Sequence, residues 1–447
     1  MALISVVRYY PPSVPYPAPM ADRITTVKPI VTDRRADRAR STEGSEMTDS
    51  RQVTARPYPF AAPDRLNLDP HYTRLRRDEP LIRVQLPFGE ETWLATRYSD
   101  VRVVLGDARF SRAAGVGRDQ PRTMPRQPDL GMLGMDPPDH TRLRRLVAKA
   151  FTARRVELLR TRAQEIADGL VDQMVEAGPP ADLVEHFATP LPIQVICELL
   201  GVPFADRDRF HTWSEAIVST TSLSPEKIQE YLESLWGYIG ALVAVRRREP
   251  IDDLLGAMVR ARDENEDRLT EQELVQLAAG LLAAGHETTV TQIPNFVYVL
   301  LQHPAELARL RADPTLIPSA VEELMRYVPL GAASAFPRYA TEDVELGGVL
   351  VRAGEPVLPA IGSANRDGTV FADPDRLDLG REVNPHVGFG HGVHHCVGAQ
   401  LARMELQVAI GTLVARLPGL RLAVPEPEVP WKSGLLVRGP LALPVAW

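Results

Sequence analysis

Residues 388–403 read GFGHGVHHCVGAQLAR. Cys396 is one of two cysteines in 447 residues, and it stands among glycines and histidines just ahead of an amphipathic run. Gly390 and Gly392 permit positive φ and let the backbone lie close to a flat ligand, while Gly398 removes a side chain two residues past the sulfur. A helix starting there aims free N–H groups and the positive end of its dipole back at the cysteine, favouring the charged thiolate. Thiolates suit soft metals and haem iron. Two other readings stand beside that one: a buried structural cysteine at a helix start, and a zinc or copper site drawn from His391, His394, His395 and Cys396.

The rest of the composition bounds the answer. A chain that is 44% hydrophobic and 24% charged is an ordinary globular protein, long enough to enclose a sizeable ligand. Its net charge of −7 gives no pull toward nucleic acid or an anionic membrane. No run of about 18 apolar residues marks a transmembrane helix, so no membrane association is expected. Cys197 and Cys396 make no disulfide framework and fit a reducing cytoplasm, with Cys197 reading as a small buried apolar residue. Residues 1–54 are proline-rich, then charged, with a second methionine at Met47. They are expected to be a disordered tail or a gene-model extension. Residues 55–447 read as one domain, mainly α with small β-sheets. Helical periodicity dominates, as in residues 153–178, 227–247 and 396–417. The strand-like pieces are LIRVQL (81–86), TWLATR (92–97) and DVELGGVLVRAGEPVLPA (343–360), with Gly347-Gly348 as a hairpin turn.

Three further stretches carry chemistry. LTEQELVQLAAGLLAAGHETTVTQIPNFVYVLLQH (269–303) opens with Thr270 and Glu273 in capping-box spacing and predicts a helix about 50 Å long. Ala284, Gly285 and Thr288 fall on one arc of it, a small-residue face fit for a flat macrocycle or for close helix packing. The run TTVT and Pro294 predict a local kink. In DPPDHTRLRRLVAKAF (136–151), His140 and Arg144 share one helix face, and Arg142, Arg145 and Lys149 share the opposite one. Glu323 and Arg326 stand at i and i+3 in AVEELMRYVP (320–329).

The run Phe389-Gly390-x-Gly392-x-His394-x-Cys396-x-Gly398 resembles, at every signature position, the haem-binding motif of the cytochromes P-450, the haem-thiolate monooxygenases. AGHETT (284–289) is similar to the family's oxygen-activation motif, and Glu323-x-x-Arg326 to its buried ion pair, joined by Arg376. The likeness spans roughly residues 55–447 and departs after the motif, with Thr291, Gln292 and Pro294 where many members show an asparagine and a glycine. The resemblance implies haem b held between the long distal helix and the cysteine-bearing proximal loop. Cys396 is then the iron ligand, with Phe389 and Gly398 beside it and Ala284 and Gly285 across the ring. His140, Arg144, Arg338 and His394 meet the propionates. Glu287 and Thr288 are the acid–alcohol pair that passes protons to dioxygen. It further implies a monomer taking electrons from a ferredoxin and its reductase, received on the Arg142, Arg145 and Lys149 face. One oxygen atom enters a C–H or C=C bond of a bulky, largely apolar small molecule, with tailoring of polyketides, macrolides or terpenoids as the setting. A peroxide-driven peroxygenase and a haem-binding sensor or carrier without turnover are the alternatives. Residues 112–135, 206–245, 330–336 and Leu435-Leu436 are the expected substrate contacts, and Arg112, Arg118, Arg122 and Arg126 are read as solvated.

Overall fold

Capping residues set where the helices begin. The computed structural model describes residues 54–127, 131–265, 269–331, 333 and 336–447. The tail expected over 1–54 lies outside them, apart from its last residue. Among the described residues the first helices are α1 (His71–Asp78), α2 (Tyr98–Gly106), α3 (Asp139–Ala148), α4 (Ala153–Ala177) and α5 (Pro190–Leu200). Next come α6 (Arg207–Val218), α7 (Pro225–Arg248), α8 (Leu254–Glu264) and α9 (Glu271–Gln302). The last are α10 (Pro304–Ala312), α11 (Ile317–Tyr327), α12 (Ile361–Ala364) and α13 (Ala399–Arg416). Pro225 and Pro304 occupy first-turn positions, where a missing N–H costs nothing. Ser224 caps α7 by accepting the Lys227 N–H, and Asp253 caps α8 by accepting that of Gly256. Thr270 and Glu273 close the expected capping box on α9.

The long helix α9 is the axis of the core. It continues as helix on both sides of Pro294, although that residue offers no N–H to the turn before it. Residues 286–300 are buried with one exception, half-buried Thr288, and Ala284 one turn earlier is exposed. A helix buried nearly all round except on one small-residue arc borders a cleft there. Around it α4, α5 and α13 contribute Leu170, Val171, Leu191, Ile196, Leu406 and Ile410 to the main apolar cluster. No described helix is long and apolar enough to cross a membrane.

The strands are short: β1 (Arg56–Pro57), β2 (Leu81–Gln85), β3 (Thr92–Ala95), β4 (Phe110–Ser111), β5 (Ala181–Asp182) and β6 (Arg338–Ala340). They continue with β7 (Val344–Leu346), β8 (Val349–Val351), β9 (Pro356–Pro359), β10 (Arg421–Leu422) and β11 (Pro444–Ala446). The largest sheet has the order β1-β2-β3-β9-β6-β4. Leu94 of β3 pairs with Ile82 and Leu358, and Arg338 of β6 pairs with Val357, so the sheet carries Arg338 at a fixed height. The β7–β8 hairpin turns at Gly347 and Gly348, both at positive φ (58° and 79°), as a tight hairpin requires.

The predicted ion pair is fully enclosed, but one predicted member is wrong. Arg326 donates to both carboxylate oxygens of Glu323 at 2.8 Å, and neither side chain meets solvent. Arg376 supplies only its backbone carbonyl, 3.2 Å from Arg326, while its own guanidinium turns outward to Asp378. Arg381 is the third charged partner, 3.1 Å from Glu323, joined by Asn384 at 3.1 Å and the Asp378 N–H at 2.9 Å. The family resemblance pointed to Arg376; chain reversal after residue 378 brings Arg381 in instead. Replacing Arg326 with methionine leaves the buried Glu323 carboxylate with only Arg381, Asn384 and one N–H, and thermal or urea unfolding should show a loss of about 3 kcal/mol.

Candidate active site

The cysteine loop lies against the end of α2. Gly392 sits at φ +71°, and a Cβ there would fall 2.5 Å from the Leu105 carbonyl oxygen, so only glycine fits. Gly390, at φ +74°, turns the chain so that the Cys396 N–H donates to Phe389 O at 2.9 Å. Gly398 precedes the first residue of α13. Burial pushes the Cys396 thiol pKa up, while the Gly398 N–H and the charges of Arg144 and Arg403 oppose it. The helix start therefore acts in the expected direction but is outweighed by desolvation. Iron binding would supply the remaining drive to deprotonate, since metal ligation releases the thiol proton. Protein crowds the sulfur closely enough to desolvate it, yet the residue keeps an accessible side, which leaves it open to a ligand in the cleft.

Glu322 of α11 clamps both arms of this loop. It accepts from Arg403 at 2.7 and 3.0 Å on the α13 side and lies 3.0 Å from the ring nitrogen of His386 on the other. Burial opposes ionisation, but the bonds from His386 and Arg403 and their charges hold the carboxyl down at about 2. A depressed carboxylate stabilises the fold above its ordinary pKa near 4.5 and loses that contribution as pH falls toward about 2. Unfolding measured across that window should be steeper in the wild type than in Glu322→Gln.

Cationic groups gather beside the loop. The rings of His140 and His394 lie 4.3 Å apart. Arg144 donates to His395 O at 2.6 Å, tying α3 to the loop. Arg338 is buried on β6, and Arg112, read from sequence as solvated, is buried as well. Arg112 donates to Leu133 O at 2.9 Å and Phe336 O at 3.1 Å, and its N–H to Asp136 at 2.9 Å. Desolvation first, then the neighbouring Arg338 charge, pulls Arg112 to about 9, and desolvation brings Arg338 to about 10. Burial and the charges of Arg338, His140 and Arg112 drive His394 to about 3. No spacing rule marks Arg112; only its burial beside Arg338 of β6 reveals it.

This arrangement fits a dianionic ligand. Both His394 ring nitrogens, His140 Nδ1 and Arg338 Nε are buried without a hydrogen-bond partner, and buried donors are rarely left so. Among the described residues, Asp136 is the acid that counters Arg112, Arg338, His140 and His394. The carboxylates of haem b would satisfy these groups, with Cys396 to hold the iron and the cleft-facing Ala284 and Thr288 lining the distal side, while Gly285, expected there too, packs on α5 instead. Losing one charge-assisted donor costs roughly 1.5–3 kcal/mol. Arg112→Leu and Arg338→Leu should therefore each speed haem transfer to an acceptor globin by about 10-fold or more.

The distal residues divide in an unexpected way. Thr288 faces the cleft, its hydroxyl donating to Ala284 O at 3.0 Å. Glu287 is buried and turns to α6, where Ser214 Oγ lies 2.9 Å away. The two side chains are neighbours in sequence but are not hydrogen-bonded to each other. Gly285 packs on Ile196, whose side chain a Cβ would strike at 2.8 Å, so this glycine serves helix packing with α5. Lys432 Nζ reaches Thr291 Oγ1 at 3.0 Å, and Asn295 donates to Arg438 O at 2.9 Å. Of the departures from the family pattern, Thr291 thus meets the C-terminal loop directly.

The basic face of α3 is smaller than expected. Arg142 is spent on Glu273 of the α9 cap, at 2.6 and 3.2 Å, which leaves Arg145 and Lys149 exposed. The zinc or copper alternative at the loop finds no support: among the described residues the one histidine–acid cluster with metal-ligand spacing lies elsewhere, at His211, His286 and Glu287.

Comparison with known proteins agrees with this geometry. A family model described as cytochrome P-450 matches residues 221–418. The chain is 58% identical to the mycinamicin IV hydroxylase/epoxidase of Micromonospora griseorubida, over 88% of this chain and 98% of that one. It is 55% identical to the nocardicin C N-oxygenase of Nocardia uniformis subsp. tsuyamanensis, over 89% and 100%. The solved structure of the mixed-function P-450 MycG superposes with a TM-score of 0.82 at 58% identity, covering 88% of this chain and all of that one. At this identity over nearly the whole of both relatives, the chain belongs to the cytochrome P-450 family and is a haem-thiolate monooxygenase of the bacterial kind, with haem b as its cofactor.

Proposed function

We propose that residues 55–447 form a tailoring monooxygenase that inserts one oxygen atom into a C–H or C=C bond of a bulky, largely apolar macrolide. Its electrons come from a ferredoxin and its reductase. The observation that carries this reading is the 58% identity to a mycinamicin hydroxylase/epoxidase across nearly all of that protein. When bound, haem b supplies reductive activation of dioxygen, with the thiolate donating electron density. The chain's own residues do the rest. Cys396 holds the iron, and Arg112, His140, Arg338 and His394 hold the carboxylates. Arg144 braces the loop, Thr288 presents a hydroxyl to the cleft, and Glu287 stands behind it.

The substrate contour has support from segments expected to line it. The end of α6 is laced to the C-terminal loop, with the Thr220 and Thr221 N–H groups on Gly434 O and the Leu436 N–H on Val218 O. The Arg438 N–H donates to Leu330 O, which brings 330–331 to the same place. Such a frame of short segments from distant parts of the chain encloses large apolar ligands. Spectral titration of the ferric protein with a panel of macrolides, non-macrolide polyketides and terpenoids tests the proposal. Macrolides should expel water from the iron at micromolar concentration and be oxygenated with NADPH, ferredoxin and reductase. Binding confined to the other classes would overturn the macrolide assignment. Turnover sustained by peroxide but not by ferredoxin would overturn the electron source.

A further inference from the structure

The distal acid belongs to a second, unassigned cluster. His211 of α6 places Nδ1 3.7 Å from Glu287 Oε1, and His286 of α9 places Nε2 3.3 Å from the same oxygen. The three ligand atoms all lie within 4.8 Å of one another. Two ligands each about 2.1 Å from a tetrahedral zinc ion are separated by about 3.4 Å, so the spacing already suits one.

Hydrogen-bond accounting gives an independent reason to expect a cation. His286 Nδ1 lies 2.9 Å from Leu282 O, and a carbonyl oxygen only accepts, so Nδ1 carries the hydrogen. In the neutral ring Nε2 is then a lone pair. Ser214 Oγ lies 2.9 Å from that Nε2, 2.9 Å from Glu287 Oε1 and 3.0 Å from His211 O. One hydroxyl hydrogen cannot serve three acceptors. The polar atoms gathered here are short of hydrogens, and a metal ion on the Nε2 and Oε1 lone pairs would supply the missing partner. The Nδ1–H bond to a backbone carbonyl is also how metal-ligating histidines are oriented.

We propose that His211, His286 and Glu287 form a binding site for a divalent transition-metal ion of zinc type, with Ser214 or water as fourth ligand. The neighbouring charges are compatible. Burial and the charge of Glu287 push Glu215 of α6 upward, so it is an acid able to ionise when a cation arrives. Burial already lowers Lys432 of the C-terminal loop, so its positive charge is the one most readily given up. His211 is 46% exposed and provides the entry from solvent. Resting on the proton role proposed for Glu287, an ion there would also slow turnover by occupying its carboxylate.

The test uses haem-loaded protein, so that Cys396 is engaged, and zinc ion alone as the probe. Competition against a fluorescent chelator should show one site per chain. Its affinity should fall at least about 100-fold in His211→Ala and be unchanged in His71→Ala, which alters an exposed histidine on α1. Zinc-edge anomalous diffraction from soaked crystals should place the ion among the three side chains, and this readout stands even if a variant misfolds. Binding that His211→Ala leaves intact, or anomalous density confined to other surface histidines, would overturn the site. Turnover, expressed against each variant's own zinc-free rate, should fall with the binding isotherm. Binding without inhibition sustains the site and overturns instead the proton role of Glu287, which Glu287→Gln turnover checks separately.

Discussion

Cys396→Ser should remove the red-shifted Soret band of the reduced carbon monoxide complex and reduce turnover to background. Serine keeps the backbone and nearly the volume, and it loses the one soft ligand in the loop. The hydroxyl is a far weaker acid than a thiol, and the Gly398 N–H with Arg144 and Arg403 would have to stabilise an alkoxide against the same desolvation that already raises the thiol. The fold should survive, because the loop is shaped by residues that do not change. Gly390 and Gly392 set its turns, Arg144 ties it to α3, and Glu322 clamps both arms. Haem should still bind, more weakly, since the cation cluster is intact. A variant with the thiolate spectrum and turnover of the parent would show that iron is held elsewhere.

Much of this site was legible before any coordinates, and what was missed has a common cause. The cysteine loop could be read because its constraints are local: glycine at positive φ, a helix start and a ligand all fall within a dozen residues. The capping box and the α3 face, on which His140 and Arg144 sit together, follow from helical periodicity for the same reason. Arg112, Arg381 and Ser214 were invisible because each reaches its partners by chain reversal. Arg112 meets β6, a strand more than two hundred residues away, and its burial depends on that sheet closing. Arg376 and Arg381 are equivalent in sequence, and only the turn at 373–381 decides which faces Glu323. Arg142 looked like part of a docking stripe because a helix wheel knows nothing of the neighbour that covers it, here Glu273.

Thr288 and Glu287 should separate when replaced, because the structure gives them different surroundings. Thr288→Ala removes the only hydroxyl that α9 presents to the cleft on this arc, so reducing equivalents should be consumed with oxygenated product falling about 10-fold or more. Thr288→Ser, which keeps the hydroxyl, should restore most of the coupling. On the proposed reading, in which proton supply to the cleft passes through its carboxylate, Glu287→Gln should instead slow the whole cycle by about 100-fold. Burial resists ionisation of Glu287, but the His286 bond and the charges of His286, His211 and Lys432 push it down to about 2. A carboxyl so depressed stays ionised through the working range, and its protonation would be felt only as pH falls toward that value. The pH–rate profile between about 5 and 9 should therefore carry no limb belonging to Glu287. Product yield per NADPH, measured beside the rate, distinguishes the two variants: low yield at near-normal consumption for Thr288→Ala, low consumption for Glu287→Gln. Equal behaviour in both would mean that the two side chains act as one hydrogen-bonded pair after all.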